Sequence, residues 1–326
     1  MQPGGVLAIV NPASSSGRTL RRWPDLQRAL ASRLPRVFSG EVEFRATEAP
    51  GHATLLARRG LEHGARLVIS IGGDGTNNEV LAGFVDDDGH NRFPDAELGL
   101  LHSGTGGDFL RHLGRCKPEQ AIAALVDGPA HAVDYGVARF VDGSGRAAVR
   151  PFLNIASAGL SGLVDYHVRR SNHLLGATAT YILGSLRAIA DLSAKRIVMT
   201  IDGVAQELPL SLAVAANGQY FGGGMWIAPQ ARCDDGILEI VHTGISSRVT
   251  MLAMLGKVFA GKHVEHAQVS MARARVLELA PCNPDDVILL DLDGEQPGRL
   301  PARFHVVPAG LRLRAAGLPG PAHERD

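Results

Sequence analysis

Three mainly apolar runs stand in the first third of the chain, and each stops at a turn. Residues 6–10 stop at Asn11-Pro12, residues 67–71 at Gly72-Gly73-Asp74-Gly75, and residues 98–101 at His102-Ser103-Gly104. Apolar runs of this length predict strands buried on both faces, as in a parallel sheet. A further strand over residues 42–46 alternates. Between the strands, residues 19–34 have helical spacing and Gly51-His52-Ala53 opens a helix ending near His63. A helix-like segment, 79–84, follows the glycine turn, and Pro118 starts a helix reaching about residue 126. Strands alternating with helices predict a doubly wound α/β domain over residues 1–132, joined by the segment 306–316. Open α/β sheets bind ligands at the C-terminal ends of their strands. The turns near Asn11, Gly72 and Gly104 are therefore expected to face one crevice.

After His131 the rhythm changes. Residues 133–140 alternate, Asp142-Gly143-Ser144-Gly145 reads as a hairpin turn, and residues 152–156 resume a strand. Helical segments over 160–170, 177–192 and 247–260 stand among expected strands at 196–201, 208–216, 237–242, 276–279, 287–292 and 303–307. These predict a second domain, residues 133–305, mainly antiparallel β with a few helices. Residues 317–326 read as a loose tail.

A chain of 326 residues has room for two cores. Lys+Arg and Asp+Glu are both 33, which argues against a polyanion such as nucleic acid as partner. Cys116, Cys233 and Cys282 have no metal-ligand spacing, and an odd count without a framework predicts reduced thiols in a cytoplasm. The apolar run 6–10 is too short for a signal peptide. The longest later stretch, 174–186, contains Thr178, Thr180 and Ser185 and falls short of the roughly 20 residues of a spanning helix. The expectation is a soluble cytoplasmic protein that can still touch the inner membrane surface.

The strand–turn–helix at Gly72-Gly73-Asp74-Gly75-Thr76-Asn77-Asn78 has the form of a phosphate site. Glycines there lack Cβ atoms, so they can take positive φ and let an anion approach the backbone. Asp74 would repel a phosphate, so its carboxylate suits Mg²⁺, an ordered water or a substrate hydroxyl; capping the following helix is the alternative. Two loops of the second domain also look chemical. One runs over residues 217–236 and the other is Asp291-Leu292-Asp293-Gly294-Glu295. A carboxylate with backbone carbonyls can hold a hard cation, and a neighbouring carboxylate can act as general base. Both loops also read as Asp-Gly hairpin turns.

Taken in order, these segments resemble the diacylglycerol kinase catalytic family, and within it the soluble bacterial lipid kinases. Asn11-Pro12 with Ser15-Ser16-Gly17 is similar to its Asn-Pro-x-Ser-Gly opening. Gly72 through Thr76 is its Gly-Gly-Asp-Gly-Thr signature, and Gly104-Thr105-Gly106-Gly107-Asp108-Phe109 looks like its Gly-Thr-x-Asn-Asp-Phe segment. Asn217-Gly218, the Gly222-Gly223-Gly224 run, Pro229-x-Ala231, Asp235-Gly236 and Asp293-Gly294-Glu295 match its later motifs. Two departures stand out. The first loop is about one residue longer, and Gly107 replaces the usual Asn.

The resemblance implies an ATP- and Mg²⁺-dependent kinase acting on a lipid hydroxyl, with an α/β domain packed on a β-sandwich and the nucleotide in the cleft. By motif, Asn11, Thr47, Gly72, Gly73, Asp74, Gly75, Thr76, Asn77, Asn78 and Thr105 would line the nucleotide. Asp235 would hold Mg²⁺ with the carbonyls of Arg232 and Ile237. Glu295 would accept the proton of the lipid hydroxyl, with Asp293 the other candidate, and Asp74 would organise the γ-phosphate. The long apolar residues of 160–192 and 249–259 could shape an acyl-chain cleft or simply be core. The implied partners are a lipid and, transiently, a membrane surface; a homodimer is compatible with this. An NAD kinase or sugar kinase of the same superfold, or a silent lipid-binding module, are the rival readings.

Overall fold

The structure, a computed structural model, describes residues 4–34, 38, 42–102, 107–114, 116–170 and 177–318. It divides into two compact units, residues 1–134 with 309–326, and residues 135–308.

The first unit opens with β1 (Val6–Val10), α1 (Arg18–Arg33), β2 (Val42–Ala46), α2 (His52–Glu62) and β3 (Leu67–Gly72). It continues with α3 (Asp74–Phe84), β4 (Glu97–His102), α4 (Asp108–His112) and α5 (Pro118–Asp127). The strands pair in parallel in the order β2-β1-β3-β4. Successive side chains of a strand point to opposite faces. Val6, Ala8 and Val10 accordingly meet Leu26 and Leu30 of α1 and Leu125 of α5. On Leu7, by contrast, α2 packs so closely that a Cβ at Gly60 would lie 2.4 Å from the Leu7 Cδ2.

The second unit follows with β5 (His131–Asp142), β6 (Ala147–Phe152), β7 (Ile155–Gly159), α6 (Leu160–Arg169), α7 (Ala177–Ala190), β8 (Lys195–Ile201) and β9 (Val204–Leu210). Next are β10 (Leu212–Ala216), β11 (Tyr220–Phe221), β12 (Met225–Trp226), β13 (Leu238–Thr243), α8 (Arg248–Val258) and β14 (Val269–Ala274). It closes with β15 (Val276–Pro281), β16 (Leu290–Leu292) and β17 (Gly298–Arg314). β17, β15, β8 and β9 pair antiparallel in that order, and β5 joins both β6 and β17. A second antiparallel sheet runs β14-β13-β10-β7-β16. Phe152, Ile197, Leu277 and Phe304 from the first sheet pack against Ala156, Ala213, Ile240 and Leu290 from the other, which makes a sandwich. The C-terminal strand contributes to both units. Its residues 302–305 pair with β15, and its residues 312–314 pair in parallel with β4.

Several expected elements are redrawn. The expected strand 208–216 is two strands in two sheets, Leu210 pairing with Lys195 and Leu212 with Gly159 and Thr243. Ser211 makes the switch. Its N–H donates to the Thr243 carbonyl, its hydroxyl to the Ile245 carbonyl, and its own carbonyl accepts from the Leu160 N–H. The expected strand 152–156 is likewise broken at Leu153 and Asn154, whose N–H groups turn to the Asp293 carboxylate. The strand expected over 303–307 extends from Gly298 to Arg314, through Pro301 and Pro308, residues that mask a strand in sequence. Cys233 is buried, Cys116 and Cys282 are exposed, and all three are free thiols. Among the described residues, no helix is long and apolar enough to cross a membrane.

Candidate functional site

Strand register gathers the predicted nucleotide residues of the first unit. Val10 pairs with both Ala46 and Ile71, and Ile71 pairs with Leu101. The residues that follow, Asn11, Thr47 and Gly72, thus stand side by side at the sheet's C-terminal edge, with Gly72 still paired with His102. The Asn11 N–H donates to the Ile71 carbonyl and the Thr47 N–H to the Val10 carbonyl, both at 2.9 Å. The Asn11 amide donates to the Thr76 hydroxyl at 3.0 Å, and the Asn11 Oδ1 accepts from the Ala13 N–H. Ser70 Oγ donates to the buried Asn77 Oδ1 at 2.7 Å. Thr105 lies outside the described residues.

The helix after the glycine turn begins earlier than the pattern at 79–84 predicts, at Asp74 with Gly73 as its N-cap. Thr76, Asn77 and Asn78 are buried members of that helix, so its polar first turn hides the start from a hydrophobic-periodicity reading. The glycines do not use the positive φ open to them: Gly73 is extended, at φ −108° and ψ −171°. Gly72 is required by space. A Cβ there would lie 2.4 Å from the Thr76 hydroxyl oxygen and 2.6 Å from the Thr76 Cβ. The first-turn N–H groups of a helix have no intrahelical acceptor, and together with the helix dipole they favour an anion. Asp74 does not simply oppose that, because its Oδ2 accepts the Asp108 N–H at 2.8 Å, at the start of α4. Glu79, which the sequence did not single out, accepts the N–H groups of Gly51 (2.8 Å) and Ala53 (3.1 Å) and ties α3 to the start of α2.

In the second unit, Asp293 (φ 50°) and Gly294 (φ 84°) form a tight turn between β16 and β17. Asp293 accepts three backbone N–H groups: Leu153 on Oδ2 at 2.8 Å, and Asn154 and Ile155 on Oδ1 at 3.1 and 2.8 Å. Glu295 is more open, and its Oε2 accepts from Arg150 Nη1 at 3.2 Å, with both side chains partly in solvent.

Behind the turn lies a pair of acids. Asp291 stands opposite Ser157 in the β7–β16 ladder and accepts from the Ser157 hydroxyl at 3.2 Å and the Gly294 N–H at 2.8 Å. Its other neighbour is the buried Asp165 of α6. That helix is pressed close: a Cβ on Gly162 would lie 2.6 Å from the Leu289 carbonyl. Burial first, then the Asp165 charge, hold the Asp291 carboxyl well above the usual carboxylate range. An acid with a raised folded-state pKa keeps its full contribution to stability below the unfolded value, about pH 4, and loses it as pH rises through the folded value. One such proton bounds the slope at about 1.4 kcal/mol per pH unit. Asp291→Asn is therefore expected to gain in Tm over the wild type as pH is raised from 4. A Tm difference flat with pH would contradict this.

The predicted metal residues lie at another turn. Asp235 Oδ2 accepts from Arg273 Nη2 at 2.5 Å, and its Oδ1 accepts from the Ile237 N–H at 3.2 Å. The Arg232 side chain pairs with Asp234, and the prospective ligand is its backbone carbonyl. Glu239 is buried nearby, 3.8 Å from Arg273 Nε. Burial pushes the Glu239 carboxyl up, Arg273 pulls it down, and Asp235 adds to the rise. Among the described residues, no three His, Cys, Asp or Glu side chains gather to hold a metal ion. Mg²⁺ often keeps several waters and needs only one or two carboxylates. Asp235 offers one such carboxylate, and a cation there would take Oδ2 in place of the Arg273 guanidinium.

The same unit contains an apolar cavity of about 90 Å³. Leu160 and Val164 of α6, Ile189 of α7, and Met251, Met254 and Val258 of α8 line it, over the β10 and β13 face. The polar groups at its wall include the hydroxyls of Ser161 and Thr243. Ser161 also hydrogen-bonds to Ser157 at 2.7 Å, the serine in contact with Asp291, so the cavity wall and the acid pair share a hydrogen-bond chain.

A parallel α/β unit with a helix start behind Gly72-Gly73, and a β-sandwich unit with an apolar cavity, define a two-unit kinase-like class. The comparisons agree. The profile of the diacylglycerol kinase catalytic domain matches residues 5–138, and that of the YegS C-terminal NAD kinase beta sandwich-like domain matches residues 154–315. A diacylglycerol kinase of Mycobacterium tuberculosis is 30% identical over 319 residues, covering 95% of this chain and 94% of the relative. One of Bacillus subtilis is 28% identical over 265 residues, covering 81% and 82%. A crystal structure described as a diacylglycerol kinase from Bacillus anthracis superposes with a TM-score of 0.69 at 20% identity, covering 97% of this chain and 98% of that one. The chain belongs to the diacylglycerol kinase catalytic family of lipid kinases.

Proposed function

We propose that the chain transfers the γ-phosphate of ATP, with Mg²⁺, to the hydroxyl of a lipid of the diacylglycerol or sphingoid type. The observation that carries this reading is the apolar cavity in the sandwich unit, which suits an acyl chain better than a nucleoside or sugar. The α3 N-terminus, with Asn11 bonded to Thr76 beside it, supports a phosphate of ATP in the first unit. Family membership supports both.

Phosphoryl transfer is mostly positioning and charge neutralisation. The acceptor oxygen bonds to the γ-phosphorus, the bond to the β–γ bridging oxygen breaks, and ADP leaves. Glu295 takes the hydroxyl proton. It is the open acid of its turn, since Asp293 is engaged by three backbone N–H groups. Asp235, with the carbonyls of Arg232 and Ile237, would hold Mg²⁺, which supplies charge neutralisation. Lipid-dependent ADP release from purified protein tests the reading, and its absence with every lipid would sink it. In the same assay Asp235→Ala is expected to raise the Mg²⁺ requirement about tenfold or more, through loss of one of the few carboxylates a Mg²⁺ site uses. An unchanged Mg²⁺ titration would remove Asp235 from the metal site.

A further inference from the structure

α8 is apolar on both sides. Its inner positions Met251, Met254, Leu255 and Val258 line the cavity. Its outer positions follow at spacings of three and four: Val249, Leu252, Ala253, Gly256 and, at the helix end, Phe259. A helix apolar all round is normally covered all round. Here Val249 is 80%, Leu252 49% and Phe259 54% exposed.

The charges nearby are mostly positive, with Glu265 the single carboxylate between Glu239 and Glu278. Arg248, Lys257 and Lys262 are exposed, and the sequence has no carboxylate between Glu239 and Glu265. Exposed apolar side chains flanked by cations are the marks of a helix lying in the interface of an anionic bilayer. A second copy of the chain is a poorer occupant, because a two-fold contact sets the same patch against itself and so brings like charges together.

We propose that the outer face of α8 is the membrane-docking surface. Val249, Leu252 and Phe259 insert below the headgroups, and Arg248, Lys257 and Lys262 meet anionic lipid phosphates. α8 is then the wall between bilayer and cavity, with one side in lipid and the other against the space that receives the acyl chain. This rests on the lipid-kinase reading for its purpose, but the docking can be measured without it.

The test is co-sedimentation of the full chain with vesicles of equal parts phosphatidylglycerol and phosphatidylcholine, and with phosphatidylcholine alone. The wild type is expected to bind the mixed vesicles, more weakly as salt rises, and to bind the neutral ones poorly. The double variant Leu252→Glu, Phe259→Glu should lose at least about tenfold in partitioning, and Lys257→Glu about fivefold or more. Both should keep the wild-type Tm and circular dichroism, and the wild-type turnover of a monomeric short-chain diacylglycerol, since none of these residues lines the cavity. A double variant that binds as tightly as the wild type overturns the proposal. So does a wild type that ignores mixed vesicles while phosphorylating the monomeric lipid, an outcome that leaves the kinase reading intact. A wild-type dimer that avoids vesicles and is split by the double variant also overturns it, making the face a contact between copies. Vesicle binding abolished in the double variant, with no form turning over any lipid, supports the docking face and rejects the kinase.

Discussion

Glu295→Gln is expected to lower kcat by about 10²–10⁴-fold, the usual worth of a positioned proton acceptor, with KM for ATP nearly unchanged. The amide keeps the shape of the side chain, and its oxygen can still accept from Arg150, so the turn is retained. What disappears is a group able to take the proton of a lipid hydroxyl, a poor nucleophile at neutral pH. Asp293→Asn is the informative contrast. Both Asp293 oxygens accept backbone N–H groups, and an amide must turn its own NH₂ toward one of those donors. That mismatch is expected to cost about 1–3 kcal/mol and to appear as a lower Tm. Wild-type turnover in Glu295→Gln, beside an Asp293→Asn protein that is stable and inactive, would move the proton acceptor to Asp293.

Asp74→Asn is expected to reduce phosphoryl transfer by about 10²–10³-fold, the loss typical of removing one preorganised electrostatic group, without unfolding the protein. The amide oxygen can still accept the Asp108 N–H, so the link to α4 survives while the negative charge is lost. Asp74→Ala removes both and should also lower Tm. Near-wild-type turnover in Asp74→Asn would reduce the residue to a cap of α4.

The α/β rhythm of the first unit was legible because its central strands are mainly apolar and end in glycine or asparagine turns. β1, β3 and β4 stand where those runs predict them. The start of α3 was not legible, because Thr76 and Asn77 are polar residues in buried positions, bonded to Asn11 and Ser70 rather than to solvent. In the second unit, the sheet switch falls at Ser211, a single serine among the apolar residues of 208–216, which read as one strand. Among the site residues, the Asp293-Gly294-Glu295 turn could be read because Asp-Gly is a hairpin signal. Asp165 could not. It lies on an amphipathic helix, and only the close approach of α6 at Gly162 sets it against Asp291. Glu79 and Arg273 are similar cases, charged residues whose partners are distant in sequence.

The most direct measurement is label transfer from γ-labelled ATP to a total lipid extract, with the product identified by mass spectrometry. The expected product is a Mg²⁺-dependent labelled lipid carrying one added phosphate on a former hydroxyl, formed by the wild type and about 10²–10⁴-fold more slowly by Glu295→Gln. Label that enters a nucleotide or sugar, or no label transfer at all from a folded protein that binds ATP, would contradict it.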